Sequence, residues 1–136
     1  MAFIDWNDKD FSVGVIEIDD QHKQLVNLIN ELHSSMMARK AKEILGEVID
    51  ELIEYTAYHF STEEKYFDQY GYEETDAHKK IHKDFVNEVL KFQKDVQSNK
   101  LFVSSKILNF LKDWLLNHIK VTDKKYMAFM HKHGIK

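Results

Sequence analysis

No proline interrupts this chain of 136 residues, and it holds only 4 glycines. Proline in a helix removes a hydrogen bond and clashes with the preceding turn, and glycine weakens a helix through its conformational freedom. With so few breakers, any helical pattern here runs long. Cysteine is absent too, which excludes disulfides, thiolate metal ligands and cysteine nucleophiles. A metal in this protein would be held by His, Asp or Glu. Histidine is the unusual residue in the composition, at 8.

Hydrophobic residues make up 43% and charged residues 31%, as in a globular protein, and the length suits one domain spanning 1–136. Net charge is -4 and the pI is about 6.0. Without a basic excess there is no reason to expect nucleic acid as a partner. No apolar run is long enough to span a bilayer, so no membrane is required. The opening MAFIDWNDKD lacks the basic and then apolar pattern of an export signal, and the cytoplasm is the expected location.

Residues 1–17 mix apolar and aromatic side chains without helical spacing and read as an extended arm, with Trp6 as a packing anchor. The first helix is predicted over about 19–37, capped by Asp19 or Asp20, with Leu25, Ile29, Leu32 and Met36 as its apolar stripe. His22 falls on its first turn. His33 lies roughly 16 Å further along the axis and cannot serve the same site. It reads as a hydrogen-bonded core histidine. A short connection over 39–41 precedes a second helix over about 42–70. Its inner stripe runs Leu45, Val48, Leu52, Thr56, His59, Glu63, Phe67, which buries a carboxylate one turn from an imidazole. Glu64 points away and reads as solvated. Gly71 is a natural stop.

The third helix, about 76–98, opens with TDAHKKIHKDF and is capped by Thr75 or Asp76. His78 and His82 stand one turn apart on one face. Alone, such a pair reads as two solvent-facing imidazoles. Phe85, Val89 and Gln93 continue the same face, with Val86 and Leu90 beside it, so the pair belongs to the core side. After a turn at 98–100 the fourth helix runs over about 104–121, with Ile107, Leu111, Trp114, Leu115 and His118 inward. Asp123 is five residues past His118, or about 140° round an ideal helix, so a loosened turn is needed to aim both side chains together. A short helix over about 123–132 carries Tyr126, Met127, Phe129 and Met130, and His131 and His133 at the end read as solvated.

Four helices with short connections predict an all-α fold, an antiparallel up-down-up-down four-helix bundle with an N-terminal arm. In that topology His22, His59, Glu63, His78, His82, His118 and Asp123 all fall at one end, each on an inward stripe. Seven polar groups buried together without a metal would be costly. Five imidazoles and two carboxylates are too many for one tetrahedral zinc and suit two octahedral first-row ions such as iron or manganese.

The ordered pattern is His22, then H-x-x-x-E at His59 and Glu63, H-x-x-x-H at His78 and His82, and H-x-x-x-x-D at His118 and Asp123. With the flanks IDDQHKQL, YHFSTEEKYF and WLLNHIKVTDKKY, it resembles the hemerythrin family, in particular its bacterial single-domain branch, from about Trp6 to Tyr126. The resemblance implies a non-haem di-iron centre, bridged by carboxylates and an oxo or hydroxo group, that binds dioxygen reversibly for storage, delivery or scavenging. It assigns His78, His82 and His118 to one iron, His22 and His59 to the other, and Glu63 and Asp123 to the bridges. Leu115 matches the pocket leucine of the family. Phe67, where the family often has Met, and Glu73, where Pro is common, are the departures. A non-enzymatic monomer is expected, with an electron donor or an oxygen-consuming enzyme as protein partner. A di-iron enzyme handling peroxide or nitric oxide, or an oxygen or redox sensor module, is the alternative. No buried tyrosine stands out in the sequence as a relay.

Overall fold

The computed structural model describes residues 3–38, 42–97 and 104–136. Among these residues six α-helices follow in order: α1 Asp8–Phe11, α2 Ile16–Met37, α3 Lys42–Tyr70, α4 Thr75–Gln97, α5 Ser104–Asn117 and α6 Met127–Lys132. Between α5 and α6 the chain forms a π turn, His118–Thr122, and a 3-10 turn, Asp123–Tyr126. No strand occurs among the described residues. The expected connections at 39–41 and 98–100 lie outside them.

Helix α2 packs along α3, α3 along α4, and α5 closes the bundle against α2 and α4. The apolar stripes meet in one core that includes Leu25, Ile29, Leu32, Leu52, Phe85, Val89, Leu111 and Leu115. Leu90, expected beside the inner face, is 40% exposed, and Gln93, expected on that face, sits half-buried with its amide on the Asp50 carboxylate. Gly71 ends α3 at φ 71°, and the Gly71 and Tyr72 amides both donate to the Phe67 carbonyl. That left-handed residue turns the chain back into α4.

A second, smaller cluster seals the end where α3 turns into α4. Val13 and Val15 from the arm and Ile18 from α2 meet Phe67, Tyr126 and Met130 there. The arm is therefore less irregular than its spacing suggests. It contains α1, with Asn7 capping through its side chain to the Asp10 amide, and it enters α2 three residues earlier than the aspartates predict. Asp19 does not cap that helix. It accepts from the Val13 amide at 2.8 Å and the Ser12 hydroxyl at 2.6 Å, pinning the arm instead. Trp6 packs half-buried against Phe11, in line with an anchor.

The tail is fastened to the same arm. His131 Nε2 donates to the Gly14 carbonyl at 2.8 Å, and Lys124 Nζ to the Lys9 carbonyl at 2.9 Å. His131 is thus half-buried and bonded, contrary to the solvated reading. His133 is exposed and stacks on Tyr70. His33 also departs from expectation: it is half-buried and stacked on Phe3 at 4.4 Å.

Candidate metal centre

Each of the seven sequence-predicted ligands is buried, and the bundle brings them to one place. His22 comes from the second turn of α2, His59 and Glu63 from late α3, His78 and His82 from early α4, and His118 and Asp123 from the π turn and its exit. Exposure is 0% for His22, Glu63 and Asp123, 1% for His59, 2% for His78 and His82, and 4% for His118.

The ligand atoms form two overlapping groups within 4.8 Å of one another. One holds Glu63, His78, His82 and His118; the other His22, His59, Glu63 and Asp123. Each carboxylate reaches toward both groups. Asp123 Oδ1 lies 3.1 Å from His78 Nε2 and 2.9 Å from His118 Nε2, while Oδ2 lies 3.0 Å from His22 Nε2. Glu63 Oε1 lies 3.1 Å from His59 Nε2 and 3.4 Å from His82 Nε2. A carboxylate divided in this way is placed to bridge two cations.

The π turn solves the five-residue spacing. Its wider ring runs from the Asp123 amide to the His118 carbonyl. The extra residue per turn brings Asp123 onto the side of His118, as the sequence required.

Two imidazoles are oriented from behind. His59 Nδ1 meets Gln21 Oε1 at 2.7 Å, and the Gln21 amide nitrogen in turn reaches Thr62 Oγ1. His82 Nδ1 meets Glu64 Oε2 at 3.0 Å. Both oxygens only accept, so both Nδ1 atoms carry the proton and both Nε2 lone pairs face inward. Gln21 and Glu64 were not singled out in the sequence, and Glu64 is not simply solvated. Phe60 stacks on His82 at 3.7 Å and Trp114 on His118 at 4.3 Å, which fixes those ring planes.

The inward atoms are short of hydrogen bonds. His22, His78, His82 and His118 Nε2 and all four oxygens of Glu63 and Asp123 are buried without a hydrogen bond of acceptable geometry. They approach each other at 2.9–3.4 Å, yet they are aimed at shared points rather than at one another. Buried polar groups are otherwise almost always satisfied. A donor set of imidazole nitrogens and carboxylate oxygens converging in this way fits first-row cations.

Electrostatics agree. Burial and the adjacent Asp123 charge push the Glu63 carboxyl up, but the His59 and His82 imidazoles outweigh them and hold it below its usual range. Asp123 behaves alike: burial raises it, and His118, His22 and His78 bring it well down. Burial lowers His22 below its ordinary value, against the pull of Asp123. For His78 burial lowers, but Asp123 and Glu63 win and the net shift is upward. The carboxylates are ionised and ready to bind cations.

Leu115 is 3% exposed and lies one turn before His118, packed into the main core. Tyr126 is a residue the sequence did not mark. It is fully buried, its hydroxyl faces the Glu63 carboxylate without a hydrogen bond of good geometry, and its ring lies 5.8 Å from His78.

Comparison with known proteins agrees with this geometry. The Hemerythrin HHE cation binding domain model matches residues 13–130. A bacteriohemerythrin of Pseudomonas aeruginosa is 38% identical over 127 residues, covering 93% of this chain and 81% of that protein. One from Methylococcus capsulatus is 35% identical over 126 residues, covering 93% and 95%. A crystal structure of wild-type hemerythrin superposes with a TM-score of 0.86 at 33% identity, covering 93% of this chain and 97% of the other.

Proposed function

The chain belongs to the hemerythrin family, and on that premise we propose that it binds dioxygen reversibly at a non-haem di-iron centre. The role is storage, delivery or scavenging. The observation that carries the reading is the set of buried nitrogen and oxygen atoms that lack hydrogen bonds and converge from five elements.

His78, His82 and His118 would hold one iron and His22 and His59 the other, with Glu63 and Asp123 shared. When bound, the iron pair supplies electrons to dioxygen on binding and recovers them on release. The uneven division of histidines would leave the His22 and His59 side with room for an exogenous ligand. Glu64 and Gln21 keep two imidazoles in the tautomer whose Nε2 is free. Leu115, Phe60 and Ile119 give the centre apolar neighbours that exclude water and suit a neutral diatomic guest. Two surface grooves approach the centre along the outer sides of His82 and His78. Among the described residues no helix is long and apolar enough to cross a membrane.

The test is to load the protein with ferrous iron anaerobically, admit air and purge with argon, following the visible spectrum and the iron content. Two irons per chain and a spectrum that returns on purging are expected. A spectrum that never returns, or a folded protein without iron, sinks the reading. His82→Ala should lose iron, and full occupancy in that variant would refute the assignment of His82 as a ligand.

A further inference from the structure

A run of aromatic rings leaves the ligand cluster and opens on the surface. The His78 ring lies 4.9 Å from Phe67 and 5.8 Å from Tyr126. Tyr72 lies 4.8 Å from Phe67 and 6.4 Å from Tyr126, and 4.9 Å from Phe129. Tyr72 and Phe129 then line a surface groove of about 680 Å³ together with Tyr70, Glu73, Glu74 and Lys125. That volume is ample for a single aromatic ring.

Packing alone does not explain the phenols. Tyr126 is 0% exposed, and its hydroxyl faces the Glu63 carboxylate without making a hydrogen bond of good geometry. A buried hydroxyl left so costs about 1–3 kcal/mol, and phenylalanine would fill the same space without that cost. An unsatisfied polar group of this kind calls for a reason such as redox chemistry. Phenol gives up an electron far more readily than the phenylalanine rings beside it. One phenol stands against a ligand histidine and the next stands in the groove.

We propose that Tyr126 and Tyr72 carry oxidising equivalents from the metal centre to this groove, where a small dihydroxyaromatic reductant of the hydroquinone class is oxidised at the expense of hydrogen peroxide. The inference rests on the di-iron reading of the cluster. Hydrogen peroxide takes up two electrons and two protons, its O–O bond breaks and two waters leave. Hydroquinone gives up those two electrons and two protons, both its O–H bonds break and benzoquinone leaves. The electrons pass singly. Tyr126 loses an electron inward, and its phenolic proton goes to the oxygens becoming water. Both are replaced from Tyr72, and those of Tyr72 from hydroquinone. Each tyrosine ends the cycle unchanged. The Glu73 and Glu74 carboxylates in the groove accept hydrogen bonds from the hydroquinone hydroxyls. Trp114, half-buried and stacked on His118, is the competing exit.

The experiment adds hydrogen peroxide to the iron-loaded protein, with and without hydroquinone. It reads freeze-quenched electron paramagnetic resonance, peptide mass spectrometry and benzoquinone formation. Wild type should show a tyrosyl radical and oxidation at Tyr72, both suppressed by hydroquinone as benzoquinone appears. Tyr126→Phe should lose the radical and slow benzoquinone formation about tenfold or more. Tyr72→Phe should keep a buried radical and lose turnover to the same degree. Both should keep two irons per chain, and Tyr72→Phe should also keep reversible dioxygen binding, which separates the relay from the metal site. Turnover in both variants within about twofold of wild type would overturn the relay, as would its abolition by Trp114→Phe alone. A wild-type protein that takes up no iron overturns the premise and the relay with it.

Discussion

His82 has a carboxylate on each side: Glu64 Oε2 accepts from Nδ1 at 3.0 Å on the outer side, and Glu63 Oε1 stands 3.4 Å from Nε2 on the inner side with no hydrogen bond between them. The two glutamates are sequence neighbours about 100° apart on α3, so one enters the core while the other lies along the seam with α4. Glu64→Ala removes the acceptor that fixes the tautomer. Metal affinity should fall about 10–100-fold, measured by competition with a chelator, while the helix content stays unchanged. Wild-type affinity in that variant would show that the outer contact is idle. The sequence made Glu63 legible because a carboxylate on an apolar stripe is anomalous. It did not make Glu64 legible, since a helical wheel separates core from solvent but does not say which flank faces the next helix. Gln21 was hidden for the same reason. His131 carried no local signal at all, because its acceptor is the carbonyl of Gly14 at the other end of the chain.

At the scale of elements, glycine marks the contrast between a position that needs it and one that does not. Gly14 has φ 72°, and a Cβ there would stand 2.7 Å from His131 Nε2. Gly14→Ala should therefore destabilise by more than about 1 kcal/mol, read from the urea midpoint, with the tail loosening first. Gly46 lies inside α3, and a Cβ there would meet nothing within 4 Å. Gly46→Ala should stabilise by about 0.5–1 kcal/mol, raising the same midpoint without touching metal content. The long helices and their inner stripes were readable from the spacing of apolar residues. The start of α2 was not, because Asp19 has the chemistry of a cap but spends it on the arm. The need for a loosened turn before Asp123 was readable from the five-residue gap, but its π form is set by the tertiary demand of the cluster.

For the whole molecule the cluster sets the pH response. In the metal-free protein His22 is lowered below 6.5 by burial, so the unfolded chain binds more protons below that pH and stability falls as pH drops. His78 is raised above 6.5, so its contribution is complete below that pH and is lost as pH rises through its folded value. The two oppose each other, and the metal-free fold should be most stable near pH 6.5. Glu63 and Asp123, both lowered, add a further loss in acid, below their unfolded values of about 4. Metal binding requires deprotonated ligands, so the iron-loaded protein should gain stability on the alkaline side and release iron in acid. Thermal unfolding with and without a chelator, repeated across pH, checks this. A metal-free optimum displaced well above pH 7 would show that His22 governs alone.

His22 and Asp123, which meet at 3.0 Å, stand near opposite ends of the sequence, and the arm and tail that clasp each other seal the same end. This has a consequence in time. During synthesis the helices α2, α3 and α4 can pair as they emerge, but both proposed iron positions would lack a ligand until the π turn has been made. The nascent bundle therefore carries five converging ligands with nothing to close the set. Capture of iron would then be a late event, coinciding with the docking of α5 and the tail. A ribosome stalled before Asp123 would hold a partly folded chain that binds metal weakly and gives it up, so the segment from His118 to Asp123 would decide whether the protein is loaded.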